Sequence, residues 1–527
     1  MAVDATYQNG LGAPPPYSDE WWRDRLAKEL CDRRLGRWWG KPWSPLSPYI
    51  RRNRCRPPLE LLDEHFRGDP PLPLVAQGWR DAFKEIVRLS QLNVAELCVV
   101  AKANRMQLRD FRTAAADDTL GDQVARDVMR FNAMQIVARD VHEYMLELGD
   151  GYAIVQPKRS GEKWCRVTAE DPFDTITAED PATGETLAGL KLFRDEWDAS
   201  DLAYLYMPGY VRVWRNSAST SMTTRGYRAT NGWELDEQKS GNSLPRVAVV
   251  RFRNRQGVGE FERHLQSLDR INHYAMNILV IATVQAFRQR ALQGAPDYDD
   301  DGTKIDYSNA FIAAPGSLWK LPEGATFWES QSTDVTPLRM QLKDEIEHFA
   351  AGTSTPLQTL APDAANQSAE GASLLREEHV YAVEDRRTRA SKGWSEVMSL
   401  CFLGMGDAER ADVTQIEPMW GPAERFSLTD RAQAAFQLKG ILPYEAIFTD
   451  VLQYPPADVP ELQKMRAADV IFENPIVRVT AQAGPGGTGP DFALPEGLAV
   501  AKPKSATPPA AGGTPAPANP SPNPNAA

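Results

Sequence analysis

Five aspartates crowd the segment APDYDDDGTKIDY, residues 295–307. Asp297, Asp299 and Asp301 alternate and Gly302 follows, as in the first half of a calcium-binding loop. There, oxygens at alternate positions close on the ion and a glycine makes the sharp turn. The second half departs from that pattern. The twelfth position, where a bidentate glutamate completes the shell, is Ser308, and Lys304 occupies the apolar eighth position. The following AFIAAPGSLWKL reads as strand, not as an exiting helix. The run therefore reads as an exposed acidic turn, with a metal-dependent enzyme built on Asp297–Asp301 kept as an alternative.

Other routes to chemistry are no better supplied. The six histidines are dispersed: HEYML at His142 lacks the second histidine of a zinc-protease helix, and His264 and His273 are not at adjacent turns. GRWWGKPW holds a Gly-Lys pair, but Pro42 stands where a phosphate loop needs Ser or Thr. QGVGEF carries Gly257 and Gly259 before a helix, with Glu262 in place of the third glycine of a dinucleotide fingerprint. It reads as a strand-to-helix turn. No GxSxG elbow occurs. No enzymatic activity, metal or cofactor is expected.

The elements that would position such residues fall into two halves. A Trp- and Arg-rich arm, WWRDRLAKELCDRRLGRWWGKPW, has acids interleaved with its basic residues. That favours an amphipathic helix docked on the body or a neighbour over a nucleic-acid arm with stacking indoles. From Trp79 to about Leu148 the apolar period is helical, and then it changes to two. GYAIVQP, WCRVTA, LAGLKLF, LAYLYMPGYVRVW and RVAVVRF read as an antiparallel meander on those helices, an α+β unit.

Beyond it, Phe261, Leu265, Leu268, Ile271, Ala275, Ile278 and Ala282 form one stripe of a helix that, unbroken, would run about 30 residues and suit a rod packed against others. Thr336 as N-cap and Pro337 open a second helix, striped by Leu338, Leu342, Ile346 and Phe349 and closed at Gly352. A third runs from about Glu370 to Cys401, and its run REEHVYAVEDRRTRASK reads as a solvated face with an Asp385–Arg389 pair. SLTDRAQAAFQLKGILPYEAIFTDVL reads as a short helical region, and the tail from about Ala481 is too rich in Gly, Pro and Ala to fold.

The whole chain has 527 residues, a net charge of −12 and five scattered cysteines without a CxxC pair. Length implies two to four units, the acidity argues against a sequence-reading DNA binder, and the thiols are expected reduced and mostly buried. The most apolar run, Ala275–Phe287, is too short for a membrane span. The expectation is a soluble intracellular protein with no membrane partner.

Four segments in this order, HFRGDPPLP with LNVAELCVVAKANRMQLRDFR, GVGEFERHLQSLDRINHYAMNIL, IDYSNAFIAAPGSLWKLPEGATFWESQSTDVTPL and TPLQTLAPDAANQSAEGASLLREEHVYAVEDRRTRA, resemble the portal proteins of tailed bacteriophages, particularly those of actinobacterial phages with long non-contractile tails. They span roughly residues 60–400; the arm and the tail lie outside the resemblance. It implies an α+β portal fold assembled as a ring, usually of twelve subunits, with an α/β wing, long-helix stem, small α/β clip and helical crown. On this chain the N-terminal arm would be 1–56, the wing 57–258, stem helix 1 259–292, the clip 293–335 and stem helix 2 336–352. The tunnel loop would be 353–369, the long wing helix and wing return 370–421, the crown 422–480 and a disordered tail 481–527.

The resemblance further implies a conduit for DNA packaging and ejection at one capsid vertex of the virion, assembled in the host cytoplasm. Its partners would be the major capsid protein, the terminase large subunit, a head–tail adaptor and double-stranded DNA bound without sequence preference. Thr353, Ser354, Thr355, Gln358, Thr359, Asn366, Gln367 and Ser368 would be the tunnel-loop residues facing DNA; Asp297, Asp299, Asp300, Asp301 and Lys304 would form the clip docking surface. Another virion connector or minor capsid component is the structural alternative.

Overall fold

The computed structural model describes residues 14–38, 41–42, 56–72, 85–115, 121–216, 232–286, 290–294, 298, 301–304, 326–329, 333–360, 369–424, 428–454 and 458–473. Two compact units are distinguished, 1–462 and 463–527. All that follows concerns the first, except for the end of the helix Val459–Glu473.

Helix α1, Asp19–Arg34, begins where the Ser18 hydroxyl accepts from Trp21 N at 3.2 Å. Its Trp22, Leu26 and Leu30 bury against Leu190, Leu192, Leu205 and Trp214 of an antiparallel sheet. The Arg23 guanidinium lies 5.0 Å over the Trp214 ring. The described part of the arm is thus a docked helix, as its interleaved charges predict. Helices α2 (Leu59–Arg67), α3 (Val94–Ala103), α4 (Gln123–Phe131) and α5 (Met134–Leu148) follow, with strand β1 (Leu108–Arg112) between α3 and α4.

The helical pattern over 124–148 is broken at Asn132–Ala133. Asn132 Nδ2 donates to Cys165 O at 3.1 Å and its Oδ1 accepts from Val167 N at 2.8 Å, while Ala133 takes φ 46°. A side chain spent on a neighbouring strand ends one helix and starts the next.

The period-two region folds into two sheets. Strands β2 (Asp150–Gln156), β3 (Arg166–Glu170) and β10 (Val249–Arg253) form one, in the order β10-β2-β3, and place Val250 opposite Ala153. The expected single meander is thereby split: GYAIVQP, WCRVTA and RVAVVRF make this first sheet, and LAGLKLF and LAYLYMPGYVRVW belong to the second. Its strands β4 (Thr175–Glu179), β5 (Thr186–Asp195), β6 (Ser200–Met207), β7 (Tyr210–Asn216) and β8 (Glu234–Leu235) lie in sequence order, and β9 (Gly241–Asn242) also pairs with β7.

After a 3₁₀ turn at Glu262–His264 comes α6, Leu265–Ala286. It is shorter than the 30-residue rod expected. Arg290–Gln293 instead forms β11 and pairs antiparallel with β12, Thr326–Glu329, using the backbone groups a continuing helix would need. Helix α7 spans Thr336–Gly352 as expected. Its first amide, Thr336 N, is accepted by Asp334 Oδ1 at 2.8 Å, so the aspartate does the capping assigned to Thr336. After the short α8 (Leu357–Leu360), α9 runs Ala369–Met405, 37 residues or about 55 Å. Strand β13 (Glu417–Trp420) returns to pair with β1. Helices α10 (Leu428–Leu438) and α11 (Val459–Glu473) complete the described chain.

The main core joins α3, α5, β2, β10 and the inner face of α9 through Val141, Met145, Phe252, Trp394, Val397 and Phe402. His142 sits inside it and accepts from Trp394 Nε1 at 2.8 Å, a core histidine as expected. Cys31, Cys98, Cys165 and Cys401 are buried; Cys55 lies outside the described residues. Among the described residues no helix is long and apolar enough to cross a membrane.

Candidate functional site: a buried charge junction

The turn that launches α6 gathers two buried carboxylates, Glu260 and Glu262, with the cations Arg56, Lys102 and Arg386. Gly259 has no room for a side chain, because a Cβ there would lie 2.0 Å from Glu147 O. That close approach lets Glu260 N donate to Leu146 O at 2.7 Å, which seats the turn on the end of α5. Glu262 reaches back to accept from Gly259 N at 3.0 Å. Arg56 then clamps Glu262 through two bonds of 3.0 and 2.7 Å, and its Nη2 also reaches Leu148 O at 2.7 Å. The glutamate in the third-glycine position is therefore a structural anion, and the segment is the strand-to-helix turn the sequence predicts.

Glu260 is the second anion. Arg386 of α9 holds it through bonds of 2.8 and 3.2 Å, Asn254 donates to it at 2.9 Å, and Lys102 Nζ of α3 stands 3.4 Å away. Burial alone would push both carboxyls up. The cations beside them, Lys102 and Arg386 for Glu260 and Arg56 for Glu262, hold them below the usual carboxylate range.

Lys102 is fully buried and makes a second connection. Its ammonium donates to Thr353 O at 2.7 Å and to Thr355 Oγ1 at 3.4 Å, just past the end of α7. Thr353 Oγ1 lies 2.9 Å from Thr355 Oγ1 and donates to Phe349 O at 2.8 Å. His379 of α9 pairs with Ser354 O at 2.9 Å, and burial drives its pKa down to about 4, so it does so as a neutral imidazole. One ammonium thus ties the start of α6, the end of α7 and, through Glu260, the long α9.

This placement corrects two site expectations. Thr353 and Thr355 are each 4% exposed and are spent on the junction, so neither presents a surface to a ligand. Ser354 is half-buried with φ 49° and donates to Glu378 at 3.1 Å; Thr359 is exposed. Asn366, Gln367, Ser368 and the side chain of Gln358 lie outside the described residues.

The charge run on α9 is corrected as well. Asp385 and Arg389 form the expected surface pair at 3.0 and 3.1 Å, but Arg386 turns inward to Glu260 and Arg387 is buried and donates to Arg105 O. Of the acidic run, Asp297, Asp299 and Asp300 lie outside the described residues. Asp301 and Lys304 are exposed around Gly302, and Tyr298 and Lys304 form an antiparallel bridge. No group of three metal-binding side chains occurs among the described residues.

Sequence reasoning missed the junction because a lone lysine in CVVAKANR has no local signature; its hydrogen-bond partner Thr353 is 251 positions away. The arrangement matches cations to anions and to the end of a helix, and it ties three elements together.

A family comparison matches residues 85–469 to phage portal proteins of the SPP1 Gp6-like type, well over half the chain. No curated protein matches the sequence. Similar solved structures include the neck of an empty GTA particle computed with C6 symmetry, at 12% identity and TM-score 0.42, covering 75% of this chain and 94% of that one. The virion of a native gene transfer agent particle matches at 11% identity and TM-score 0.40, covering 75% and 93%. The neck of the native GTA particle computed with C12 symmetry matches at 11% and 0.39, covering 75% and 99%. On the match from α3 into α11, the chain belongs to the phage portal protein family, SPP1 Gp6-like.

Proposed function

We propose that the chain forms the ring at one capsid vertex of a tailed phage of the actinobacterial, long-tailed type, and that DNA enters and leaves the capsid through it. The single observation that carries the portal role is the family match over residues 85–469, while the actinobacterial, long-tailed type rests on the resemblance of the four sequence segments alone. The arrangement of the elements supports it. Helices α6 and α7 pack on each other, joined by the Arg270–Glu345 pair at 3.0 and 3.1 Å. Yet α7 leaves Met340 63% exposed and Leu338 and Leu342 only half-covered, as two rods covered by neighbouring copies would.

In this reading α6 and α7 are the stem, β11, β12 and the acidic turn belong to the clip, the segment after Thr355 is the tunnel loop, and the helices from 422 onward are the crown. Helix α1 belongs to the N-terminal arm, and α2–α5 with the two sheets form the wing. Terminase and head–tail adaptor would dock at the clip, where Asp301 and Lys304 are exposed. Packaging energy would come from that separate terminase. A net charge of −12 per subunit suits a conduit, since every phosphate neutralised adds affinity and thus drag on a moving polyanion.

Class-averaged electron micrographs, together with light scattering, test the proposal. A ring with a central hole and a mass near twelve times 58.6 kDa is expected. Monomers alone at every concentration would overturn it.

A further inference from the structure

We propose that the β5–β6 hairpin tip is a docking prong whose Trp197 inserts into an apolar slot with a lysine- or arginine-bearing rim on the protein of the capsid shell; this rests on the portal reading above. Trp197 is 98% exposed, the most exposed of the large apolar side chains in the described residues. Single exposed apolar residues are ordinary on surfaces. Here, however, the turn around the indole is built to hold it out.

Asp195 Oδ1 accepts from Trp197 N at 3.1 Å. Arg194 donates to Ala199 O at 3.2 Å and pairs with Asp201 at 3.3 Å, and Arg215 on β7 pairs with Asp198 at 2.9 Å. Ala199 is held at φ 49°, a conformation an alanine adopts only under constraint. A constrained tip that exposes a tryptophan loses little side-chain freedom on binding, which is what makes indoles binding anchors.

Charge identifies the partner. Residues 194–201 carry four carboxylates and one guanidinium. Asp198 and Asp201 are covered by Arg215 and Arg194, which leaves the exposed Glu196 and the half-buried Asp195 without an ion pair among the described residues. That field repels nucleic acid and suits a basic rim. Position agrees: one face of this sheet packs on α1 in a core of its own, and the hairpin tip projects from the strand ends away from α6 and α7, which places the prong on the body of the ring in the portal reading.

The test is to produce the full chain together with the shell protein of its particle and to count portal copies per purified shell. W197A should form rings of unchanged mass and melting temperature but enter shells at least about tenfold less often. W197F should recover part of the loss, and the double reversal D195K/E196K should lower incorporation, most strongly at low salt. Wild-type incorporation of W197A overturns the proposal. So does a loss of ring mass in W197A, which would place the indole between subunits. A wild-type chain that forms no ring at all would instead defeat the portal reading itself.

Discussion

Lys102 and Glu147 show how two buried charges within one fold answer to opposite rules. Lys102→Met keeps the length of the side chain but strips Thr353 O of its ammonium donor, leaving only the long bond from Thr355 Oγ1 at 3.5 Å, and Glu260 of one of its cations. Arg386 and Asn254 still hold Glu260, so the expected loss is about 2–4 kcal/mol, not a collapse. It would be read as a lowered melting temperature with faster amide exchange at 353–355. Glu147, at the end of α5, is 4% exposed and has burial first, then Asp63 and Asp171, pushing its pKa up to about 8; Arg67 opposes this and Glu143 adds to it. A carboxyl raised in the folded state contributes stability that is fully present below its unfolded pKa near 4.5 and is lost as pH rises toward 8. Glu147→Gln should therefore stabilise the fold at pH 8 by on the order of 4 kcal/mol, read as a raised melting temperature, and leave it nearly unchanged at pH 4. Equal shifts at both pH values would show that Glu147 stays ionised in the fold. Glu260 and Glu262 run the other way, stabilising above the ordinary carboxylate range and losing that contribution as pH falls through their lowered values.

Helix α7 carries the element-scale prediction. Its Phe349 and Ala350 are buried within the subunit, whereas Met340, two turns earlier, is open to solvent. Met340→Asp should leave the subunit's circular dichroism intact while shifting the assembly equilibrium toward monomer by tenfold or more, since burying such a side chain contributes about 1.5–3 kcal/mol at each contact. Sedimentation velocity across a concentration series would read this, and an unchanged ring would place Met340 on an uncovered face. The bounds of α7 were legible because a proline near the start and a glycine at the end punctuate a clear stripe. The strands of the β region were legible from their period apart from β4, but their division into two sheets was not, since period two fixes a strand's faces and not its partners. The break between α4 and α5 was not, since Ala133 at φ 46° has no sequence signature and Asn132 is recruited by a strand more than thirty residues on. Nor was the inward turn of Arg386, because a run of alternating charges looks the same whether its partner is water or a glutamate 126 positions earlier. Local rules reveal elements; the junction is made of contacts between elements, where periodicity is silent.

At the scale of the assembled molecule, the test is whether the polar segment after the junction faces DNA. Lys102 and His379 pin the first turn of that segment at Thr353–Thr355, so whatever reaches the channel must lie beyond it. Thr359 is the described residue there that is exposed, and it follows the buried Leu357. A channel lined by hydroxyls lets phosphates pass without trapping them, and one lysine per subunit would change that for the whole ring at once. Thr359→Lys should bind a short DNA duplex more tightly than the wild-type ring. The slope of log affinity against log salt should steepen by about 0.9 for each phosphate newly neutralised. Fluorescence anisotropy at several salt concentrations between about 50 and 200 mM separates this from a change in shape, which would move affinity without the slope. Because the substitution is on the surface, ring mass and melting temperature should stay at wild-type values. If slope and affinity are also unchanged in intact rings, residue 359 does not meet the DNA path, and the assignment of this segment to the tunnel loop fails while the ring itself stands.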